Sequence, residues 1–293
     1  KRNMEDFTKY LPSLSFSHYK GQSGKIGIIG GCFEYTGAPF FAGQTVLRLG
    51  GELSHIFCAK SACIPIKSYA PEQIVHPYLP DDDESQLVSS AVEKVMKWAP
   101  SLHSFVIGPG LGRNQATLNF AEEMIKQLSE LSKPLVLDGD ALYLVSQKPQ
   151  LVTGHKNIIL TPNGIEFIRL QTSLGLPRES TPLEIAQKLG GVTIFAKGRV
   201  DIVTNGVESK EFTFKASPRR VGGQGDLTAG AIGLFSSYAP NDYFAACGAA
   251  SEVVRKAAVA AFEKKGRSVI TMDLIDELPY ILPKSWNTVA DEQ

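Results

Sequence analysis

Short runs of aliphatic and β-branched residues alternate with longer stretches whose apolar positions recur every three or four residues, and that alternation leaves the chain few folds. The runs are "KIGIIGG" (25–31), "LSHIFCA" (53–59), "SFVIGPG" (104–110), "PLVLDGD" (134–140), "NIILTPN" (157–163), "VTIFAKG" (192–198), "DIVTNG" (201–206) and "KEFTFK" (210–215). Between them lie "APFFAGQTVLRLGG", "DESQLVSSAVEKVMKWA", "NQATLNFAEEMIKQLSEL" and "TPLEIAQKLGG". Apolar runs of that length suit strands buried on both faces, and helix-period stretches between them suit crossovers. The expected fold class is therefore α/β, with a central, mostly parallel sheet and helices on both faces. Beyond Gly225 the pattern changes to two long helices, "GDLTAGAIGLFSSYA" and "NDYFAACGAASEVVRKAAVAAFEKKG", then a short "TMDLIDELPYIL". The first is rich in Gly, Ala, Ser and Thr, as a helix packed closely on a sheet requires. "PYLPDDDES" (77–85) reads as a solvated loop and helix start. With no linker and no internal repeat, residues 1–293 read as one domain.

Charge narrows the ligand classes. Thirty basic and thirty acidic residues give a formal net charge of zero, which leaves no electrostatic footprint for nucleic acid or an anionic membrane. An anionic ligand must then be recognised by local geometry. Cys32, Cys58, Cys63 and Cys247 have no C-x-x-C spacing and fall in or near apolar segments, so they read as reduced core thiols. No apolar run is long enough to span a bilayer, and the expectation is a cytosolic protein, with a mitochondrial one left open. The chain starts at Lys1 rather than Met, so processing or trimming of an N-terminal segment is left open too.

In an open α/β sheet, ligands bind beyond the carboxyl ends of the strands, and the unusual residues fall there. "GPGLGR" (108–113) follows one strand; its glycines make a tight turn or let backbone approach a ligand. "LDGDAL" sets Asp138 and Asp140 after another, where they read as loop-capping acids rather than metal ligands. "LTPNGIEF" places Asn163 and Glu166 three apart at a helix start. One reading is a capping box; the other is a pair that holds Mg²⁺ through water near phosphates. "AKGRVD" (196–201) has a tight-hairpin Gly198 and puts Lys197 at a strand edge, as a surface residue or as a partner for a nucleotide.

The most specific constellation is "SPRRVGGQGDLTAG", in which Arg219 and Arg220 precede a glycine-rich turn and Asp226 meets a helix start. Converging N–H groups and a helix dipole suit a phosphate there, which a carboxylate would repel. Asp226 makes sense as a base that takes a proton beside that phosphate. The stretch is neither a Walker A loop nor a dinucleotide fingerprint. His18, His55, His76, His103 and His155 lack metal-ligand spacing, and no arrangement supports a covalent nucleophile.

Taken in order, "GKIGIIGG", "YTGAPFFAGQTVLRLGG", "VIGPGLGR", "LVLDGDAL", "LTPNGIEFIRL", "AKGRVDIVTNG" and "RRVGGQGDLTAGAIG" resemble the eukaryotic ATP-dependent NAD(P)H-hydrate dehydratases, relatives of the ribokinase-like kinases. The likeness runs from about Ser23 to about Gly233. It implies a ribokinase-like fold and ATP-dependent dehydration of hydrated NADH and NADPH, with ATP and Mg²⁺ required and a separate epimerase as functional partner. It assigns Gly112, Asn163, Gly164, Ile165, Glu166, Phe167, Ile168, Arg169 and Asp226 to the substrate, with Tyr35 and Gly37 as further candidates. It assigns Lys197, Gly198, Arg199, Val200 and Asp201 to ATP, together with Ala216, Ser217, Pro218, Arg219, Arg220, Val221, Gly222, Gly223, Gln224 and Gly225. The Asn163 and Glu166 pair matches the Asn-x-x-Glu element that binds Mg²⁺ and phosphate in that superfamily. Gly139 stands where alanine is common. A ribokinase-like small-molecule or vitamin-precursor kinase and a non-catalytic nucleotide sensor are the alternative functions; a homo-oligomer is left open.

Overall fold

A computed structural model describes residues 3–290. Nine strands form one sheet in the order β3-β2-β1-β4-β5-β6-β7-β8-β9. The strands are β1 (Lys25–Ile29), β2 (Leu53–Ala59), β3 (Ile74–Leu79), β4 (Ser104–Ile107), β5 (Leu135–Leu137), β6 (Ile158–Leu160), β7 (Thr193–Ala196), β8 (Asp201–Thr204) and β9 (Ser209–Phe212). Pairing is parallel from β3 across to β7 and antiparallel for β8 and β9, so the mostly parallel sheet is as the apolar runs indicate.

Helices cover both faces: α1 (Met4–Phe7), α2 (Gly37–Arg48), α3 (Lys60–Tyr69), α4 (Val88–Met96), α5 (Gln115–Ser129), α6 (Asp140–Gln147), α7 (Gly164–Ser173), α8 (Pro182–Lys188), α9 (Gln224–Tyr238), α10 (Tyr243–Lys265) and α11 (Thr271–Ile281). Because side chains alternate along a strand, each strand feeds two cores. Ile28, Val106 and Val136 pack with apolar residues of α1 to α3 and α9 to α11; Ile29, Ile107 and Leu137 pack with those of α4 to α8. Helix α9 carries glycines where it meets its neighbours. A Cβ on Gly230 would collide with the Ala42 carbonyl oxygen, and one on Gly233 would lie 2.6 Å from Val106 Cγ2. Among the described residues no helix is long and apolar enough to cross a membrane.

The stretch read as a solvated loop is a loop only in part. Pro77, Tyr78 and Leu79 finish strand β3, and α4 begins at Val88 after a 3₁₀ turn at Ser85–Leu87. Pro77 masks the strand in sequence, yet β3 is an edge strand with a single neighbour, where a missing N–H is tolerated. The register with β2 shifts at Cys58 and Ala59, beside that proline. Helix α3 is hidden in the same way by Pro65 inside it.

Chain order fixes where a ligand can enter. From β1 the chain winds outward through β2 to β3, then returns to the other side of β1 as β4. The loops after β1 and β4 diverge from that switch point and leave a crevice at the carboxyl edge of the sheet.

Candidate active site

The turn after β4 brings the "GPGLGR" backbone against two other loops. An added Cβ on Gly108 would collide with the Asp138 carbonyl oxygen, and one on Gly110, at φ 61°, would lie 2.5 Å from the Tyr35 carbonyl oxygen. The tight-turn reading of the glycines holds: the turn is tight because backbones meet there. Gly112 N–H donates to Asp140 Oδ2 at 2.9 Å and Arg113 Nε to Asp140 Oδ1 at 2.7 Å, so Asp140 anchors this loop.

Asp138 does not cap a loop. It is buried at the end of β5, where it accepts from Lys197 Nζ at 2.7 Å and from Thr161 Oγ1 at 2.8 Å. Lys197 leaves the end of β7, so the pair reaches across the intervening β6. Burial works against the ammonium charge, but the carboxylates of Asp138, Glu166 and Asp226 outweigh it and hold the Lys197 pKa above its ordinary value. Lys197 is thus a cation fixed among three acids rather than a surface lysine.

Helix α7 starts with the capping box the sequence allows. Asn163 Oδ1 accepts from the N–H groups of Ile165 and Glu166, and Glu166 Oε2 accepts from Asn163 N–H. Burial, with a contribution from Asp138, raises the Glu166 pKa against the opposing pull of Lys197.

Helix α9 starts at Gly223, whose φ of 98° lies in the left-handed region that favours glycine. Thr271 Oγ1 donates to the Gly222 carbonyl and ties the turn to α11. Asp226 occupies the first turn, and its carboxylate receives no hydrogen bond among the described residues. Burial is the largest cause of its perturbation and the Asp138 charge the next; together they push its pKa up to about 7 against Lys197.

Two clefts meet at these helix starts. The smaller, about 310 Å³, is lined by Asn163, Gly164, Lys197, Gly198, Asp201, Ala216, Ser217, Arg220, Val221, Gln224 and Gly225, all predicted site residues. The larger, about 530 Å³, is lined by Tyr35, Gly110, Gly112, Arg113, Asp140, Glu166 and Asp226 among others. Gly225 therefore faces one cleft while its neighbour Asp226 faces the other, and Asn163 and Glu166 divide in the same way.

Not every predicted residue reaches a cleft. Since 164–169 is helical, its side chains radiate: Phe167 packs against the core, Ile165 and Ile168 are exposed, and Arg169 lies against Tyr143. Arg199, Val200, Pro218, Arg219, Gly222 and Gly223 lie beside the smaller cleft in sequence without lining it, and Gly37 does not line the larger. Asp201 lines the smaller cleft, but its carboxylate is fully engaged. It accepts from Arg255 Nε and Nη2 at 2.8 Å, from Ser251 Oγ at 2.7 Å and from Gly198 N–H at 3.1 Å. Arg255 and Ser251 also line that cleft, and the sequence reading passes over both. The available signal is the one arginine of α10, set with Glu252 and Lys256 among small and apolar residues.

Among the described residues no three His, Cys, Asp or Glu side chains converge as a metal cage. Glu166 keeps one carboxylate oxygen outside the capping box, beside Asn163 and the Lys197 cluster. That donor set fits a hydrated Mg²⁺ held through water, not a dehydrated ion enclosed by protein.

The switch-point crevice, the antiparallel β8 and β9, and a glycine-started helix with an acid in its first turn define a ribokinase-like α/β protein. A ribokinase-like superfamily protein from Enterococcus faecalis superposes with a TM-score of 0.76 at 22% identity, over 97% of this chain and 95% of that one. The Bacillus subtilis ADP/ATP-dependent NAD(P)H-hydrate dehydratase, co-crystallised with ATP and Mg²⁺, superposes at 0.71 with 19% identity, over 95% of each chain. In sequence, the family pattern described as NAD(P)H-hydrate dehydratase matches residues 26–280. The ATP-dependent (S)-NAD(P)H-hydrate dehydratase of Ciona intestinalis is 43% identical across 98% of this chain and 82% of its own length. The chain belongs to the NAD(P)H-hydrate dehydratase family.

Proposed function

We propose that the protein is an ATP-dependent carbon–oxygen hydro-lyase that converts the (S)-hydrates of NADH and NADPH back to NADH and NADPH. The observation that carries this reading is Asp226: a carboxylate with a pKa of about 7, facing the larger cleft one residue from a glycine that faces the smaller. The larger cleft takes the hydrated nicotinamide, and the smaller takes ATP.

Asp226 removes the proton of the C6 hydroxyl as that oxygen attacks the γ-phosphorus, and the bond to the β-phosphate breaks to release ADP. The N–H of Gly225, which has no partner among the described residues, and the positive end of α9 face the transferring phosphoryl group. Lys197, already anchored by Asp138, offsets the charge that accumulates there. Phosphorylation turns a poor leaving group into a good one. The ring nitrogen lone pair then expels phosphate from C6, and loss of a C5 proton completes the dihydronicotinamide. Mg²⁺, held through water near Glu166 and Asn163, would supply further charge compensation at the phosphates. Holding both reactants across one wall provides most of the acceleration expected without covalent catalysis. An enzyme that acts on the S form alone leaves the R form to an epimerase, which is the functional partner this reading expects.

The test is incubation with hydrated NADH, Mg²⁺ and either ATP or ADP. The dehydratase reading expects growth of reduced-nicotinamide absorbance with stoichiometric phosphate. A stable phosphorylated product would instead make the protein a kinase, and nucleotide binding without turnover of any kind would make it a sensor.

A further inference from the structure

Behind the glycine turn that opens α9 stands Thr271, a buried residue in the first turn of α11 that the proposed chemistry leaves unused. Its Oγ1 donates to the Gly222 carbonyl. Its Cγ2 presses on the next residue, where a Cβ on Gly223 would lie 3.0 Å from it and 2.8 Å from Phe41 Cδ2 of α2. The start of α11 is itself held: Asp273 Oδ2 accepts from Ile270 N–H at 2.9 Å, and Lys265 Nζ of α10 donates to Asp273 Oδ1 at 2.6 Å. Thr271 therefore meets the turn from a fixed support. Gln224 N–H reaches the Val221 carbonyl at 3.4 Å, which closes a four-residue turn with Gly222 and Gly223 at its centre. Gly223, at φ 98° and ψ −10°, has the backbone that the third residue of a type II turn needs. Type I and type II turns differ by a rotation of the central peptide, here the unit that joins the Gly222 carbonyl to the Gly223 N–H. In a trans peptide those two groups point in opposite directions, so a hydroxyl on the carbonyl fixes the N–H as well.

We propose that Thr271 is a positioning residue for phosphoryl transfer: its hydroxyl locks the 221–224 turn in the type II form, so that N–H groups and no carbonyl oxygen face the transferring group. The inference rests on ATP lying in the smaller cleft with its γ-phosphoryl group at the start of α9. The N–H groups of Gly223 and Gly225 have no partner among the described residues, and Val221, Gln224 and Gly225 line that cleft. A flip of the central peptide would turn the Gly222 oxygen to the side the Gly223 N–H now occupies, where it would repel a phosphoryl oxygen. The flip would also move the Gly223 carbonyl, which accepts from Asp226 N–H at 3.0 Å and Leu227 N–H at 3.2 Å, and with it the first turn of α9. Donors aimed in advance stabilise charge as it develops, without reorganising at the moment of transfer.

Two substitutions separate the hydroxyl from the packing. Thr271→Val keeps the branched shape against Gly223 and removes the hydroxyl, whereas Thr271→Ser keeps the hydroxyl. Removing an oxyanion donor outright costs about 10²–10³ in kcat and donors left free to swing cost less, so Thr271→Val is expected to lower kcat by about tenfold. ATP affinity, read by calorimetry, stays within about twofold, while ADP with aluminium fluoride, a mimic of the phosphoryl group in transfer, binds about tenfold more weakly. The pH limb near 7 stays in place, because the Asp226 carboxylate and its charged neighbours are untouched. Thr271→Ser restores most of kcat and of the affinity for the mimic. A valine variant that differs from the parent only in melting temperature would overturn the proposal and leave Thr271 a brace. So would ATP affinity lost in parallel with kcat, or a serine variant as impaired as the valine one. A parent that binds the mimic through Thr271 but never dehydrates hydrated NADH would keep the positioning role and remove the proposed activity. A dehydratase indifferent to Thr271→Val would do the reverse.

Discussion

Asp226 sits at the start of a helix with its carboxylate unbonded, buried beside a second acid, and the consequence is a base that is half charged near neutral pH. A base works best when its pKa lies near the operating pH, and general-base help is typically worth about 10²–10⁴-fold. Asp226→Asn should therefore lower turnover by at least about a hundredfold while ATP affinity, measured calorimetrically, survives. The parent's kcat/KM should rise with pH along a limb centred near 7, because only the carboxylate form accepts the proton. Neighbouring charges predict how that limb moves. Lys197 pulls the Asp226 pKa down and Asp138 pushes it up, so Lys197→Met should shift the limb to higher pH and weaken ATP binding as well. A limb that stays in place in Lys197→Met would remove the ammonium from any electrostatic role at Asp226.

The hairpin of β7 and β8 is pinned to α10 by a buried ion pair, and this lock shapes the wall of the smaller cleft. Arg255 Nη1 and Nη2 also donate to the carbonyls of Arg199 and Gly198, so one side chain holds both the acid and the backbone of the turn. Removing one partner of a buried pair strands the other charge, at a cost of about 3–5 kcal/mol. Arg255→Met should lower the urea midpoint accordingly, and adding Asp201→Asn should restore part of the loss; strict additivity of the two would show that the lock is not a unit. The sequence showed that something happens at "AKGRVD" because a lysine and a glycine end an apolar run. It hid what Asp201 does, because its partner lies 54 residues away on α10. Asp138 was obscured for the same reason: an acid after β5 looks like a cap until β7 brings Lys197 across Thr161 to meet it. Strand ends and helix starts are local and therefore legible, whereas ion pairs between them depend on sheet order. The 77–85 stretch misled because an edge strand tolerates Pro77, and α3 went unread because Pro65 sits within it.

Across the whole molecule, buried groups with displaced pKa values act on stability in opposing senses. His55 and His76 are stacked and hydrogen-bonded ring to ring at 3.0 Å, and burial pushes both down to about 4. As pH falls through 6.5 towards 4 the unfolded chain binds protons that these folded imidazoles refuse, so stability is lost on the acid side. Asp226 runs the other way. Its folded pKa of about 7 lies above the unfolded value of 3.8, so the stability it contributes is complete below about 4 and is lost as pH rises to about 7. The base form that catalysis needs is thus the form the fold disfavours. Asp226→Asn removes that conflict, and its melting temperature should exceed the parent's by about 2 °C or more at pH 8, since each kcal/mol is worth about 2–4 °C in chains approaching this size. The gap should narrow steadily as pH falls from 7 and close near pH 4, where the parent carboxyl is protonated in the folded state. Thermal unfolding of both proteins across that range tests the assignment without any substrate. A gap independent of pH would mean that the asparagine stabilises by packing or hydrogen bonding, and that Asp226 is an ordinary ionised carboxylate throughout.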